Sequence, residues 1–364
     1  MKFNINQTTL LQGLQAVQNI VGLHTTLPIL ANVRIACDKN GVSLTTTDLS
    51  VTIQCRVEAE VMKTGGTTLP ARRLFNIVRE LPNAMIHVEV DDKDVATLEC
   101  DSSFFKIIGL SEDEFPPIGG GDGGYTYRID QGLFRDMLRK TAYAASTDET
   151  RYVLTGVLLS FKGGKLTMVA TDGRRLALVE QEIEVPKEAE TEVIIPSRAV
   201  DELLRILGSE GELSIQVKDK QVAFQCDHIL LVSKVIEGTY PNYRQVIPTQ
   251  CEERITVDRE ALLIAIRRVS LIAPDGIVPM RLLFNKNKLV LTLSAPDIGE
   301  ARETLPIKYT GKELTVAFNP LYMMDPLKNL TTDEVAIELT DDLSPGVIKC
   351  DLPFLYVLMP MRVS

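Results

Sequence analysis

The sequence predicts an α+β protein built from three copies of one domain, each with two helices packed on antiparallel sheets. A short strand followed by a helix recurs three times along the 364 residues, and a second helix follows later in each copy. Between the helices, apolar and polar residues alternate and turn residues are frequent, which is typical of antiparallel strands. The length agrees, because about 100–200 residues per domain correspond to two or three domains.

The first helix of each copy is predicted at 8–20, 131–145 and 258–273. Each follows a short strand that ends in Asn or Asp, at Asn6, Asp130 or Asp258. These residue types are favoured there because their side-chain oxygens accept hydrogen bonds from the free N–H groups of the first helical turn. The three residues are therefore the predicted N-caps.

The second helix of each copy is predicted at 70–80, 196–207 and 319–330. Proline opens the first two, where its missing N–H is not needed, whereas Pro326 lies inside the third and predicts a short or kinked helix. Between the two helices of each copy, a strand runs into a turn with an aspartate, and Asp48, Asp172 and Asp297 follow one another at intervals of 124 and 125 residues. We interpret a turn that recurs once per copy as structural.

Two loop segments separate the copies. Residues 119–124 read Gly-Gly-Gly-Asp-Gly-Gly and predict a flexible joint. A phosphate-binding loop is the alternative, but no Lys-Ser/Thr follows and no buried strand precedes the glycines. The second joint lies around 241–253, so the predicted domains are 1–121, 125–246 and 247–364. Repeats of this length are duplicated whole domains, which favour a closed symmetric assembly.

The charges are distributed unevenly along the chain. The net charge of −10 argues against a simple basic nucleic-acid-binding protein. The six predicted helices nevertheless carry a net +5, which leaves −15 on the strands and loops. Such a protein can hold phosphates on one basic surface and repel them elsewhere. The alternative is that these are ordinary solvated helix faces, since Arg and Lys are good helix formers.

Simple geometry relates the helices to duplex DNA. Packed helices lie roughly 10 Å apart, so twelve in a circle give an axis-to-axis diameter of about 38 Å. Subtracting about 5 Å of helix radius on each side leaves a hole of roughly 28 Å, which admits a duplex about 20 Å across. The six helices of one chain would leave only about 9 Å. If the helices line a hole for DNA, the assembly is therefore a homodimer of six domains.

Several other classes of protein are disfavoured. The chain opens without a secretory signal pattern and contains no apolar run of roughly 18 residues, so we expect a cytoplasmic protein with no membrane partner. The six cysteines form no C-x-x-C pair and are interpreted as apolar side chains rather than disulfides. Cys226 and His228 suit a strand better than a zinc site, because alternating apolar residues flank them. We expect no metal and no cofactor.

Two functions other than binding duplex DNA are also open for this sequence. An enzyme needs convergent titratable groups, yet the chain has three His and no recognisable catalytic motif. A carboxylate–metal enzyme using Asp172 and its neighbours is the remaining catalytic alternative. A protein-only scaffold of repeated domains that never binds DNA is the second rival.

Six segments together resemble the bacterial DNA sliding clamps, the family of the DNA polymerase III beta subunit. They occur in family order over the whole chain and read LTTTDLS, TLPILANV, RYVLTGVLL, VATDGRRLA, GTYPNYRQVIP and YVLMPMR. The resemblance implies the DNA clamp fold: a head-to-tail dimeric ring with helices inside, continuous sheets outside and no catalytic activity. It also implies sequence-independent encirclement of double-stranded DNA, which keeps the replicative polymerase on its template.

The resemblance further implies a hydrophobic cleft between the second and third domains that docks short apolar peptides of partner proteins. The implied partners are the replicative polymerase catalytic subunit, an ATP-driven clamp loader, translesion polymerases and repair proteins. By matching motifs, the cleft residues are Leu154, Thr171, Gly173, Arg174, Arg175, Leu176, Pro241, Arg244, Val246, Tyr322, Leu343, Ser344, Val357, Met359, Pro360, Met361 and Arg362. The family often has His where this chain has Arg174.

The same resemblance implies two further sets of residues. The DNA contacts would be His24, Arg72, Arg73, Arg151 and Tyr152. The family usually has a basic residue at His24 and often a second Tyr at Val153. At the dimer seam, Phe105 and Ile107 of one chain would face Leu271 and Ile272 of the other, and Arg73 or Lys106 would meet Glu300 or Glu303.

Overall fold

The computed structural model describes residues 1–22, 27–117, 119, 123–273, 278–296 and 298–362. His24, Asp297 and most of the predicted joint at 119–124 lie outside these residues. The chain forms two compact units, which we call unit 1 (Met1–Arg135 with Arg198–Val235) and unit 2 (Asp136–Ser197 with Ile236–Ser364). The middle repeat therefore contributes to both units.

The described residues contain two α-helices in each repeat, as the sequence predicts. The helices are α1 Gln7–Val17, α2 Ala71–Glu80, α3 Gln131–Thr141, α4 Ser197–Ile206, α5 Arg259–Ser270 and α6 Pro320–Asn329. The predicted N-caps are confirmed, because side-chain oxygens of Asn6, Asp130 and Asp258 each accept a hydrogen bond from a backbone N–H two or three residues further on. Helices α2 and α4 begin one residue after Pro70 and Pro196.

The strands fall into three groups, one for each repeat. The first group is β1 Lys2–Asn6, β2 Asn32–Asp38, β3 Gly41–Thr47, β4 Val51–Val57, β5 Glu60–Lys63, β6 Gly65–Pro70, β7 Met85–Val90, β8 Val95–Cys100 and β9 Ser103–Ile108. The second is β10 Tyr125–Asp130, β11 Gly156–Lys162, β12 Lys165–Thr171, β13 Arg175–Glu182, β14 Thr191–Pro196, β15 Glu212–Val217, β16 Gln221–Cys226 and β17 Ile229–Lys234. The third is β18 Glu253–Asp258, β19 Met280–Asn285, β20 Lys288–Ala295, β21 Gly299–Pro306, β22 Leu314–Phe318, β23 Glu334–Leu339, β24 Gly346–Lys349 and β25 Phe354–Leu358.

Strands of neighbouring repeats join in continuous antiparallel sheets. Unit 1 has a five-stranded sheet (β5-β1-β7-β8-β9) and an eight-stranded sheet (β10-β15-β16-β17-β4-β3-β2-β6). Unit 2 has an eight-stranded sheet (β14-β11-β12-β13-β25-β24-β23-β18) and a four-stranded sheet (β21-β20-β19-β22). The repeats meet where β17 pairs with β4 and where β13 pairs with β25. Each eight-stranded sheet thus takes four strands from one repeat and four from the next.

The helices pack on the sheets through apolar stripes. In α1, the stripe is Leu10, Leu14 and Val17, and in α5 it includes Leu262, Ile266 and Val269. Both sets follow the i, i+4, i+7 spacing that places side chains on one helix face. Burying each aliphatic side chain contributes roughly 1.5–3 kcal/mol, so these stripes hold the helices on the sheets.

Helix α6 is not shortened by its internal proline, contrary to one of the two outcomes that the sequence predicts. It has ten residues, as α2 and α4 do. Pro326 has no N–H to donate to the carbonyl of Tyr322 four residues earlier. The Tyr356 hydroxyl donates to that carbonyl instead, at 2.8 Å. A side chain from β25 therefore replaces the missing helical hydrogen bond.

The aspartate turns and the cysteines have structural roles. Asp48 Oδ1 accepts hydrogen bonds from the N–H groups of Ser50 and Val51, so the first repeated turn is built as the sequence predicts. Four of the cysteines are buried, and Cys226 ends strand β16; Cys251 and Cys350 are half-buried. None of the helices in the described part of the chain is long and apolar enough to cross a membrane.

Candidate functional site

A buried apolar cluster lies in unit 2 where β13 pairs with β25. The register places Leu176 opposite Val357. The cluster consists of Leu158, Val169, Leu176, Ile194, Tyr243 and Val357, with Val153, Leu178, Ile236, Tyr240, Ile247 and Leu355 packed against it. Two predicted cleft residues, Leu176 and Val357, thus form part of one apolar floor, although they are 181 positions apart.

The turn between β12 and β13 is held by Asp172. Its Oδ1 accepts hydrogen bonds from the N–H groups of Arg174 and Arg175 at 2.8 and 3.0 Å, which confirms a structural role for this aspartate. Gly173 has φ +83°, a left-handed conformation that glycine adopts without steric cost. The Thr171 hydroxyl completes the turn by accepting from the Gly173 N–H and donating to the Arg175 carbonyl. The turn is therefore a defined edge of the apolar floor.

Arg175 is the most highly connected side chain of this region. Its Nε donates to Asp172 Oδ2 at 3.0 Å, its Nη1 pairs with Asp325 on α6, and its Nη2 donates to the carbonyl of Tyr143. The guanidinium also lies 4.3 Å from the ring centroid of Tyr322, within the range of a cation–π interaction. Only 10% of the Arg175 side chain is exposed.

Three tyrosines surround that guanidinium. The ring of Tyr143 lies 5.8 Å from the Arg175 guanidinium and 6.0 Å from the ring of Tyr356. Burial raises the pKa of both phenols above the usual value. The neighbouring Tyr356 and Asp325 raise the pKa of Tyr143 further. Both hydroxyls are therefore protonated at neutral pH and act as neutral groups.

We call four residues predicted for the cleft the rim of the floor: half-buried Tyr322 and three exposed apolar residues. The exposed apolar residues are Val246, Leu343 and Met359. Met359 continues the sheet, because its N–H donates to the Arg174 carbonyl at 2.9 Å, and the Met361 N–H donates to the Ala317 carbonyl at 2.8 Å. Exposed apolar groups beside a defined apolar floor are suited to a short apolar peptide rather than to catalysis.

The structure connects the predicted cleft residues to different degrees. Direct contacts join Leu176 with Val357, Arg175 with Tyr322, and Arg174 with Met359. The remaining predicted residues belong to adjoining segments of unit 2: half-buried Leu154, Ser344, Pro360 and Met361, and exposed Pro241, Arg244 and Arg362. The Arg244 guanidinium lies 5.3 Å from the ring centroid of Tyr243, a floor residue. Leu343 and Ser344 lie in the turn between β23 and β24, which Asp341 caps.

Sequence reasoning missed four residues that build this site: Tyr143, Tyr243, Asp325 and Tyr356. Tyr243 and Tyr356 lie inside two of the quoted segments, GTYPNYRQVIP and YVLMPMR, whereas Tyr143 and Asp325 lie outside all six. Asp325 and Arg175 are 150 positions apart. Pro326 is the one local signal, because it leaves the Tyr322 carbonyl without its helical donor, and Tyr356 supplies that donor.

The predicted DNA contacts are placed in separate environments. His24 lies outside the described residues. Arg72 and Arg73 are exposed on α2, where Arg72 donates to the carbonyl of Val21 at 3.4 Å. In unit 2, Arg151 is exposed and donates to the Asp172 carbonyl at 3.2 Å, while Tyr152 is exposed beside it in sequence. Arg151 therefore also supports the turn at the apolar floor.

Two arginines of α4 donate to backbone carbonyls at the end of α1 and in the turn that follows it in unit 1. Arg205 donates to the carbonyls of Gln15 and Ala16, and Arg198 donates to those of Asn19 and Ile20. Helix α1 has no basic residue in its own last turn, and carbonyls at a helix C-terminus favour a cation. These positive charges thus have a structural use in addition to any role toward phosphates.

An apolar groove lies beside the edge strand β9 in unit 1. It encloses about 520 Å³ and is lined by Arg73, Asn76, Ile77, Glu80, Leu81, Ser103 and Phe105. Phe105 is one of the predicted seam residues. Arg73, which the resemblance implies both for the seam and for the DNA contacts, lines this groove. The edge strand and the groove together form a surface suited to an apolar partner.

One seam expectation, an exposed Ile107, needs correction, and a second seam residue, Glu303, has a partner within the chain. The Ile107 side chain is only 4% exposed, because it shares one face of β9 with Phe105 and the core covers that face at Ile107. The exposed apolar neighbours are Phe104 and Ile108 instead. In unit 2, Glu303 is paired with Arg268 of the same chain at 2.8 Å, so its carboxylate already has a cationic partner. Glu300 is exposed on the edge strand β21. Leu271 directly follows α5 and is 80% exposed, and Ile272 next to it is half-buried.

Among the residues whose positions are described, no group of three or more His, Cys, Asp or Glu side chains could hold a metal ion. The carboxylate of Asp172, the candidate of the catalytic alternative, is occupied by its own turn and by Arg175. The chemistry of these surfaces is thus that of recognition: apolar burial, guanidinium contacts and backbone hydrogen bonds.

Comparison with known proteins covers the whole chain. Family models of the DNA polymerase III beta subunit match residues 1–119 (N-terminal domain), 128–242 (central domain) and 244–362 (C-terminal domain). The beta sliding clamp of Chlamydia muridarum is 34% identical over 363 residues, which are 100% of this chain and 99% of that protein.

Solved structures agree with the family models. The DNA polymerase III subunit beta from Pseudomonas aeruginosa superposes with a TM-score of 0.96 at 32% identity, with 100% of each chain covered. The sliding clamp from Bartonella birtlesii bound to griselimycin superposes with a TM-score of 0.95 at 32% identity, again with 100% of each chain covered.

Proposed function

This chain belongs to the family of the DNA polymerase III beta subunit, the sliding clamps, and we propose on that premise that two copies close into a ring around duplex DNA. The protein is a processivity factor without catalytic activity. It keeps the replicative polymerase on DNA by topology, since a closed ring cannot leave a circular duplex without opening.

One observation carries the proposal. Successive repeats join edge to edge within the chain, where β17 pairs with β4 and β13 pairs with β25. The same kind of junction between copies would make the sheets continuous around a ring. The edge strands β9 and β21 belong to the first and third repeats, which are the two that must meet when a second copy closes the ring.

The seam we propose pairs the β9 edge of one copy with the β21 edge of the other. The groove that Phe105, Ile77 and Leu81 line in one copy would receive Leu271 and Ile272 of the second copy. Arg73 and Lys106 would face Glu300. Covering edge strands in this way also protects them from unwanted association.

We assign peptide docking to the apolar floor of Leu176 and Val357 with its rim. A flexible, Met- and Leu-containing surface suits several partners, and the Arg and backbone groups at the turn would orient the bound peptide. The partners we propose are the replicative polymerase, the ATP-driven clamp loader, translesion polymerases and repair proteins. The solved clamp from Bartonella birtlesii binds griselimycin, which is therefore the probe of choice for this surface.

Contact with DNA would be loose and independent of sequence. We propose that Arg72, Arg73, Arg151, Tyr152 and His24 contribute to it, each through phosphate or sugar contacts. The proposed domain limits remain 1–121, 125–246 and 247–364, and the location we propose is the cytoplasm.

The decisive experiment compares retention on circular and linear DNA. The protein is loaded onto nicked circular duplex by its ATP-driven loader, the salt is raised, and half of the sample is cut once with a restriction enzyme. A ring stays on the circle in high salt and leaves the cut molecules. Loss from both as the salt rises would indicate ordinary electrostatic binding, and equal retention on both would indicate salt-resistant binding that does not depend on topology. Either result would contradict the proposal.

A further inference from the structure

We propose that Asp325 and Tyr356 are positioning residues of the docking cleft. They hold the rim residue Tyr322 in place without contacting the bound peptide. This inference rests on the docking cleft proposed above. Asp325 acts on the Tyr322 ring through Arg175, and Tyr356 acts on the Tyr322 backbone.

The first part of the device is the fixed guanidinium of Arg175. It is anchored on three sides, by Asp172 in the turn, by Asp325 on α6 and by the Tyr143 carbonyl at the end of the α3 segment. A guanidinium donates through a rigid planar fork, so three partners in different directions leave it one orientation. Its low exposure prevents water from replacing any of these partners.

The second part is the contact between that guanidinium and Tyr322. The distance of 4.3 Å to the ring centroid places the cation against the ring, and the attraction is strongest when the cation is desolvated. Tyr322 is half-buried, and its exposed part belongs to the rim. Arg175 thus determines where this part of the rim stands.

The third part is the backbone of Tyr322. Because Pro326 donates no hydrogen bond, the Tyr322 carbonyl would have no helical partner. The Tyr356 hydroxyl, whose residue lies in β25 next to Val357 of the floor, supplies the donor at 2.8 Å. Strand β25, which carries Val357 of the floor, and helix α6 are therefore linked at Tyr322, a residue of the rim.

Asp325 is placed so that it holds the Arg175 guanidinium in position. Its side chain is 27% exposed and is directed to Arg175, with Lys328 of its own helix farther away at 3.9 Å. Loss of the carboxylate would leave Arg175 held only by Asp172 and the Tyr143 carbonyl, so that its Nη1 end could shift relative to the Tyr322 ring. A preorganised rim favours binding because no side chain has to be ordered when the peptide arrives.

The test is a double-mutant cycle read by isothermal titration calorimetry with griselimycin. Asp325→Asn keeps the shape and removes the charge, and Tyr322→Leu keeps an apolar rim but removes the π face. We expect Asp325→Asn to weaken griselimycin binding by about 3- to 20-fold in the wild-type background. In the Tyr322→Leu background, the same change should alter the affinity by less than about twofold, because its route of action is gone.

The matched control is Glu202→Gln in unit 1. Glu202 occupies the equivalent position of α4, is more deeply buried than Asp325, and pairs with Arg205 at 2.7 Å. The change should lower the thermal midpoint while leaving griselimycin affinity within about twofold of wild type. A loss of affinity equal to that of Asp325→Asn would show that general destabilisation explains both and would overturn the inference.

Tyr356→Phe provides an independent arm if Asp325→Asn fails to fold. It removes only the hydroxyl that bonds the carbonyl of residue 322, and we expect about 2- to 5-fold weaker binding in both the wild-type and the Tyr322→Leu backgrounds, because both keep that carbonyl. Unchanged affinity in both Asp325→Asn and Tyr356→Phe, or a loss for Asp325→Asn that is equal with and without the Tyr322 ring, would overturn the positioning role. If griselimycin does not bind the wild-type chain, the docking cleft itself is wrong, which is a different result.

Discussion

The hydroxyl of Tyr143 is a buried polar group that has no hydrogen-bond partner among the residues that the structure describes. The residue nevertheless has a clear role, since its ring packs near Arg175 and its carbonyl accepts a hydrogen bond from the same guanidinium. Tyr356, whose ring lies 6.0 Å away, shows the opposite case, because its hydroxyl has a specific acceptor. Two phenols in one cluster therefore differ in what their oxygen contributes to stability.

Replacing Tyr143 by Phe should leave the stability of unit 2 unchanged or raise it by about 1 kcal/mol, because an unsatisfied buried hydroxyl is removed and the ring is kept. Tyr356→Phe is the matched change and should cost about 1 kcal/mol, since it leaves the Tyr322 carbonyl without a donor. Differential scanning calorimetry of both variants measures the contrast. A loss for Tyr143→Phe as large as that for Tyr356→Phe would mean that the Tyr143 hydroxyl has a stabilising partner.

At the scale of elements, the two units repeat one design with different turns. The hairpin of β3 and β4 and the hairpin of β12 and β13 each carry an aspartate that accepts backbone N–H groups. The residue after that aspartate is Leu49 in unit 1, with φ +73°, and Gly173 in unit 2, with φ +83°. The left-handed conformation is thus required in both, but only unit 2 uses the residue that adopts it without strain.

Gly173→Ala should destabilise unit 2 by about 1 kcal/mol, because a side chain is forced into the left-handed region. It should also weaken griselimycin binding, since the new Cβ lies 3.1 Å from Nη1 of Arg151, which supports the turn. Gly163→Ala is the control: its φ is +60°, it lies in the neighbouring hairpin of the same sheet, and its Cβ would meet nothing within 4 Å. Thermal unfolding should shift in both variants and affinity only in the first.

If Gly163→Ala weakened griselimycin binding as much as Gly173→Ala, the turn at 171–175 would have no special relation to the docking surface. If neither variant changed the thermal midpoint, the left-handed conformation would not be a constraint in these turns.

At the scale of the whole molecule, function depends on a second copy. The helices carry a net positive charge in a chain of net charge −10, but part of that charge is used internally, as the bonds of Arg198 and Arg205 to α1 demonstrate. Loose electrostatic attraction is therefore a weak basis for retention on DNA, and closure of a ring is a strong one. The seam is the feature on which retention depends.

Leu271→Arg should open that seam. An unpaired charge in the proposed apolar groove costs several kcal/mol, so the dimer dissociation constant should rise by about 30-fold or more. Ile264→Arg is the control, because Ile264 is an exposed apolar residue of α5, the helix that Leu271 follows directly. Sedimentation equilibrium measures both constants. An unchanged constant for Leu271→Arg, or an equal rise in the two variants, would contradict the proposed seam.

The sequence alone determined the repeated features of this protein. The six helices, the N-caps at Asn6, Asp130 and Asp258, and the Asp48 and Asp172 turns all depend on residues that are close in sequence. Backbone hydrogen bonding and hydrophobic periodicity act over a few residues, so these features are visible in a linear pattern. The cleft residues came from the family resemblance, and the contact of Leu176 with Val357 agrees with that grouping.

Only the tertiary structure decided which distant side chains meet. It brought Asp325 and Tyr143 to Arg175, gave the Tyr322 carbonyl its donor, turned Ile107 into the core and paired Glu303 with Arg268. Each of these outcomes depends on strand register and helix packing, which bring together residues between 32 and 150 positions apart in the contacts of Arg175. Local chemistry thus specified the elements, and packing between the elements specified the site.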